Sequence, residues 1–274
     1  MKIQKFLYKN VLKHIFFRIN KPIILSKHNE KLYSSRNLVL GKKRYEIFTF
    51  RKAKVYMDSS EGRYFYIYKN SLLIKPSIAT KGLTNNSNIF NYGITKFCKK
   101  FDNEVVSIIS GRDSKDNYWH WLIDVLPRLI ILKKELNNKE VTFLVPDYKK
   151  NYQKESLKYL TKNKKTNFIS LNENRFSQFR KVVCCSNNEN FEYFNFSLLS
   201  KLRNKILSQV RNNLSLSKKN YYKKIYISRE DSTKKNNRCL ENNREVEKFL
   251  SKNGFKILIL SKYSFLEQAA IFNK

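Results

Sequence analysis

Residues 117–132 read Asn-Tyr-Trp-His-Trp-Leu-Ile-Asp-Val-Leu-Pro-Arg-Leu-Ile-Ile-Leu. On a helix turning about 100° per residue, the apolar residues from Trp119 to Leu132 clothe most of the circumference. A helix this apolar on nearly every side is buried. Asn117, His120, Asp124 and Arg128 fall on one arc about 80° wide. Each must be satisfied, because a buried polar group without a partner is strongly destabilising. Two readings stay open. His120 and Asp124, at i and i+4, can bond each other inside a core while Arg128 reaches a neighbouring element. Alternatively, the stripe faces a polar ligand and marks a functional site. Pro127 removes the helix bond to Ile123 and predicts a kink, which either opens a cleft or bends the helix around a core.

The rest of the chain supplies layers for such a helix. Its 274 residues suffice for one large domain or two ordinary ones. Hydrophobic residues make up 41%, so a real core is expected. Residues 1–30 form a basic N-terminal segment. Within it, Met1 to Ile19 has helical apolar spacing among Lys2, Lys5, Lys9, Lys13 and Arg18. Such a helix can lie on an anionic membrane or pack on its own domain. It lacks a signal peptide's apolar core and cleavage site. Residues 31–195 read as an α/β domain. Short strands are expected at Tyr45–Phe50, Lys54–Met57, Arg63–Tyr68 and Val105–Ile109. Further strands follow at Val141–Val145, Asn167–Leu171 and Lys181–Cys185, with a helix through Glu155–Leu160. This alternation predicts a mostly parallel sheet. A helix over Ser197–Leu214 opens a third segment, residues 196–274. There Lys224–Ser228, Glu241–Lys252, Phe255–Leu260 and the capping box Ser264-Phe-Leu-Glu267 spell β-α-β-α, the beginning of a doubly wound domain. Gly254 stands where a left-handed helix cap needs it. Two strands and two helices do not close such a sheet, so the expectation is an incomplete domain, or one completed by another chain.

The net charge of +34 points to polyanions, anionic surfaces or phosphorylated small molecules as partners. A compositional bias toward Lys, Asn, Ile, Phe and Tyr accounts for much of it without any selection for binding. The excess of Lys over Arg, with no zinc-finger, RRM or KH signature, argues against specific nucleic-acid reading. Cys98, Cys184, Cys185 and Cys239 form no CxxC pair, which suits free thiols in a reducing cytoplasm. With only three histidines (His14, His28, His120), a dedicated transition-metal site is not expected.

Two segments together resemble glycosyltransferase family 61. Residues Asn117–Leu129 resemble its Asn-x-x-His-Trp, acidic, Leu-Pro-Arg-Leu pattern, with His120, Trp121, Asp124, Pro127 and Arg128 matching. Ile225-Tyr-Ile-Ser-Arg229, then Arg238, Asn242, Glu245-Val246, Gly254-Phe255 and Glu267-Gln268, resemble a second series in the family's order. The resemblance covers roughly residues 100–274. It implies a GT-B-like architecture of two Rossmann-like domains, the first facing the acceptor and the second holding a nucleotide-sugar donor. It also implies inverting transfer to a saccharide in surface or capsular polysaccharide synthesis, with no cofactor and no required metal.

His120 is then the candidate general base, since histidine ordinarily titrates near pH 6.5. Asp124 would orient it or raise its basicity. His120 can instead hydrogen-bond the donor without taking a proton. Asn117, Trp121, Arg128, Arg229, Arg238 and Asn242 are the candidate substrate-binding residues. Arg229 follows a strand, where doubly wound sheets bind ligands and a guanidinium can pair with a diphosphate. It can equally salt-bridge Glu230 or Asp231. Asn243 stands where the family has Glu. The family's later Gly-x-His-Gly-Ala-type loop has no counterpart before Lys274, so a truncated transferase is expected. A non-catalytic remnant, one part of a split enzyme, and a basic binder of nucleic acid or membranes are the alternatives.

Overall fold

The computed structural model describes residues 23–25, 33–58, 64–69, 72–74, 98–110, 117–136, 140–161, 165–171, 176–186, 195–213, 222–231 and 240–273. The amphipathic segment expected over residues 1–19 lies outside them, as do Arg238 and Cys239. The chain forms two compact units. One comprises Met1–Tyr148 with Asn163–Leu202, the other Lys149–Lys162 with Arg203–Lys274.

The first unit is built on a mixed sheet. Its strands are β1 (Ile23–Leu25), β2 (Ser34–Leu40), β3 (Lys43–Asp58), β4 (Tyr64–Lys69), β5 (Leu72–Ile74), β6 (Lys99–Ser107), β7 (Glu140–Val145), β8 (Lys165–Ser170) and β9 (Phe176–Cys185). Among the described residues their order is β1-β5-β4-β3-β9-β6-β7-β8, with β2 also on β3. The expectation of a mostly parallel sheet holds for one half. Strand β6 pairs in parallel with β9 and β7, and β7 with β8. The other half is largely antiparallel, because β2, β3 and β4 are hairpin neighbours and β3 lies antiparallel to β9.

The two strands expected at 45–50 and 54–57 are one. Residues 51–53 stand between those two ranges, yet β3 pairs with β9 from Ile47↔Cys185 to Tyr56↔Phe176 in one unbroken register. Lys52 takes φ 51 within it. That left-handed backbone costs about 1 kcal/mol in a residue with a Cβ, and the ladder on either side offsets it.

The core forms where β3, β9, β6 and β7 adjoin. Phe48, Phe50, Val55, Val105, Leu144, Phe179 and Val182 all belong to one buried cluster. Phe101 stacks on Phe179 at 5.0 Å. The last residues of β6, β7 and β9 are buried on both faces, as parallel strands covered from two sides must be.

Helix α3 (Phe196–Arg211) starts in this unit. Asn195, buried, caps it by accepting from Leu198 N–H at 3.1 Å. The same side chain donates to the Leu40 carbonyl at 2.8 Å and the Tyr45 hydroxyl at 3.0 Å. It thereby ties the helix start to the β2–β3 hairpin. Burial pushes the Tyr45 phenol above its ordinary pKa, so it stays a neutral hydroxyl. Asn195→Ala removes a cap and two bonds to buried acceptors, and should lower stability by about 2 kcal/mol in denaturant melts. A change below a few tenths would show that the cap carries no weight.

The second unit contains α2 (Asn151–Leu160), β10 (Ile225–Ser228), α4 (Asn243–Lys252), β11 (Lys256–Ile259) and α5 (Phe265–Asn273). Strands β10 and β11 are parallel, from Ile225↔Lys256 to Ser228↔Ile259, so the predicted β-α-β-α order is present. Helix α4 ends as expected. Gly254 sits at φ 80, its N–H reaching Ser251 O at 3.1 Å while Phe255 N–H reaches Leu250 O at 3.0 Å. The capping box on α5 also forms, with Ser264 N–H to Glu267 Oε2 at 2.8 Å and Glu267 N–H to Ser264 Oγ at 3.3 Å. Glu155 of α2 adds a second carboxylate there, accepting from Phe265 N–H at 2.6 Å.

Candidate functional site

The stretch after β6 folds as an interrupted helix, α1, over residues 118–131. It has a helical turn at Tyr118–His120, a π turn at Trp121–Val125 and a second helical piece at Arg128–Ile131. Pro127 explains the interruption. It has no N–H to give, and its ring crowds the carbonyl one turn back. The helix relieves both by taking an extra residue into the preceding turn, so Leu126 N–H reaches Trp121 O at 3.0 Å. The expected kink is therefore a widened turn that begins directly after His120.

That turn divides the polar stripe. Asn117 is the N-cap, its Oδ1 accepting from Trp119 N–H at 3.0 Å and His120 N–H at 3.4 Å. His120 Nδ1 lies 2.7 Å from Asp124 Oδ2, and both side chains remain about one-fifth exposed, at 19% and 18%. An ionised carboxylate can only accept, so in the neutral imidazole the shared proton sits on Nδ1 and Nε2 carries the lone pair. Arg128 is buried, with 6% exposure. Its Nε donates to the Asp124 carbonyl at 3.1 Å, and its Nη1 lies 3.2 Å from both the Cys185 carbonyl and Cys185 Sγ at the end of β9.

The two tryptophans take opposite environments. Trp121 is fully buried, whereas Trp119 is 55% exposed. Even helical spacing counted Trp119 with the buried face, and the structure corrects that. Beside them the Tyr118 phenol is pushed up to about 12 by burial, so it remains protonated across any working pH. Sequence reasoning also passed over Cys185. It read as an ordinary buried strand residue, and no local signal links it to Arg128, 57 positions away. Burial raises the pKa of both Cys184 and Cys185. Both are free thiols, as is Cys98.

The remaining candidates belong to the second unit. Arg229 is exposed, directly after the C-terminal end of β10. Asn242 is the residue before α4 and lines an open depression with Glu230, Glu241, Asn243, Arg244 and Glu245. Asn243, standing where the family has Glu, accepts from the Tyr226 hydroxyl at 2.9 Å and donates to Glu247 at 2.8 Å. Gln268 donates to the Leu260 and Tyr263 carbonyls, both at 3.0 Å, and so anchors α5. Among the described residues, no three His, Cys, Asp or Glu side chains gather as a metal site. No described helix is long and apolar enough to cross a membrane.

The first unit therefore brings a carboxylate-paired imidazole to a partly open position. The second presents the Arg229 guanidinium directly after the end of β10, in a β-α-β run. No curated protein matches the chain. The model of one family, Glycosyltransferase 61, matches residues 118–274, from the imidazole-bearing helix to the last residue. That is more than half of its length, and the chain belongs to glycosyltransferase family 61.

Proposed function

We propose that this glycosyltransferase moves a sugar from a nucleoside-diphosphate donor to a saccharide hydroxyl with inversion, in the GT-B manner, during surface polysaccharide synthesis. The observation that carries the reading is the 2.7 Å His120–Asp124 contact on a part-exposed turn. Asp124 holds the Nδ1 proton, leaving Nε2 to take the acceptor's proton as its oxygen attacks the anomeric carbon. The bond from that carbon to the diphosphate breaks, and the diphosphate leaves with the electron pair. Arg229 offsets its charge, assisted by Arg238. Asn242 is assigned to the donor with Arg229, and Asn117 and Trp121 act through the helix that carries the base. Trp119 offers an exposed flat face suited to a sugar ring. No metal is required in this scheme. The net charge of +34 supports work at the cytoplasmic face of an anionic membrane.

Calorimetric titration of the full chain with UDP and other nucleoside diphosphates tests the donor half. Saturable binding is expected, weakened roughly 100-fold in Arg229→Ala. Equal affinity in the variant would remove Arg229 from the donor site. No binding of any nucleoside diphosphate by the folded chain would overturn the transferase scheme and favour a non-catalytic role.

A further inference from the structure

We propose that Arg128 is a positioning residue for the His120–Asp124 pair rather than a group that touches substrate. This rests on the reading of His120 as the base. Three observations support it.

The guanidinium is nearly enclosed, at 6% exposure, and its Nε and Nη1 donate to protein acceptors. One bond goes to the carbonyl of Asp124, the residue whose side chain orients the imidazole. Another goes to the carbonyl of Cys185, the last residue of β9. Strand β9 lies between β3 and β6 and pairs along much of its length with both. It is therefore among the most firmly held elements of the unit. Arg128 ties the π turn to this part of the sheet.

The clamp is needed at this place because of the π turn. Widened turns have fewer well-aligned backbone bonds per residue than α-helix, and Pro127 withholds one more donor. Asp124 lies inside that turn, at Trp121–Val125. Its backbone can tilt by small amounts that an α-helix would resist. A shift of about 1 Å at a catalytic group is enough to cost 100-fold in rate. Arginine suits the task because its planar fork spans two carbonyls at once, which a lysine ammonium cannot do with the same geometry.

The signature to measure is the tautomer of His120, which needs no knowledge of the sugar donor. The full chain has three histidines, and His120→Gln identifies the resonance. Imidazole nitrogen-15 NMR of the full chain in alkaline buffer should show His120 held mainly as the Nδ1–H form. Arg128→Met should convert it to a mixture of both tautomers while circular dichroism remains native. Arg128→Lys, which keeps the buried cation, should lie between the two, and it carries the test if Arg128→Met does not fold. A wild-type tautomer in a folded Arg128 variant overturns the proposal, because a merely structural arginine would lower the melting temperature and leave the ring alone.

Transfer kinetics supply a second readout. Arg128→Met should lower kcat roughly 10- to 100-fold with little change in KM, and should cost little more in a His120→Gln background. A rise in KM alone would return Arg128 to substrate binding. The two failures are distinguishable: if His120→Gln itself keeps full activity, the base assignment is lost whatever Arg128 does.

Discussion

His120→Gln should lower kcat by about 10²- to 10⁴-fold while the chain keeps its fold. Glutamine approximates the size of the ring and can still hydrogen-bond, but it cannot accept a proton near neutral pH. The side chain is part-exposed, and its Nδ1 lies 2.7 Å from Asp124 Oδ2. Loss of the ring therefore leaves no large cavity, and the melting temperature should stay within a few degrees of wild type. Donor KM should change little, because the leaving diphosphate is assigned to Arg229. Asp124→Asn should cost less than His120→Gln in kcat, since an amide can still contact Nδ1 but can also hold the ring in the opposite tautomer. Rates measured with a panel of nucleotide sugars, with circular dichroism on each variant, decide the matter. A His120→Gln enzyme with at least half the wild-type kcat would exclude imidazole base catalysis.

Trp121→Ala should instead act on stability, by about 3–5 kcal/mol. The indole is fully buried and sits on the first residue of the π turn. Truncation opens a void among packed apolar groups that do not collapse to fill it. For a unit of this size the melting temperature should drop by roughly 10 °C or more. At temperatures where the variant is still folded, KM should remain near wild type, because no substrate reaches a residue with 0% exposure. Trp119→Ala provides the contrast. That indole is 55% exposed, so its removal should leave the melting temperature nearly unchanged. If Trp121→Ala melted like wild type and raised KM, the buried position of the indole would be wrong.

Much of this molecule was legible from local pattern. The β-α-β-α order of the second unit followed from apolar runs bounded by polar turns. Its parallel strands, its Gly254 cap at φ 80 and its Ser264–Glu267 box all formed. Each depends on atoms within a few residues, where backbone sterics and short-range hydrogen bonds decide the outcome. The His120–Asp124 pair belongs to the same class, because i and i+4 are neighbours on any helical turn.

Other features could not be read locally. The strands expected at 45–50 and 54–57 proved to be one because β9 pairs with both, and sheet pairing is settled by partners far away in the chain. Pro127 announced a disturbance, but only packing chose a π turn over a simple bend. That choice set Trp121 inside, left Trp119 in the open and turned Arg128 toward Cys185. By itself, then, the sequence determined the helices, caps and strand order of the second unit and the residues that form the imidazole–carboxylate pair. The tertiary structure alone decided which strands of the first unit join and what the buried arginine holds, because those contacts span long stretches of chain and are won by burial rather than by local propensity.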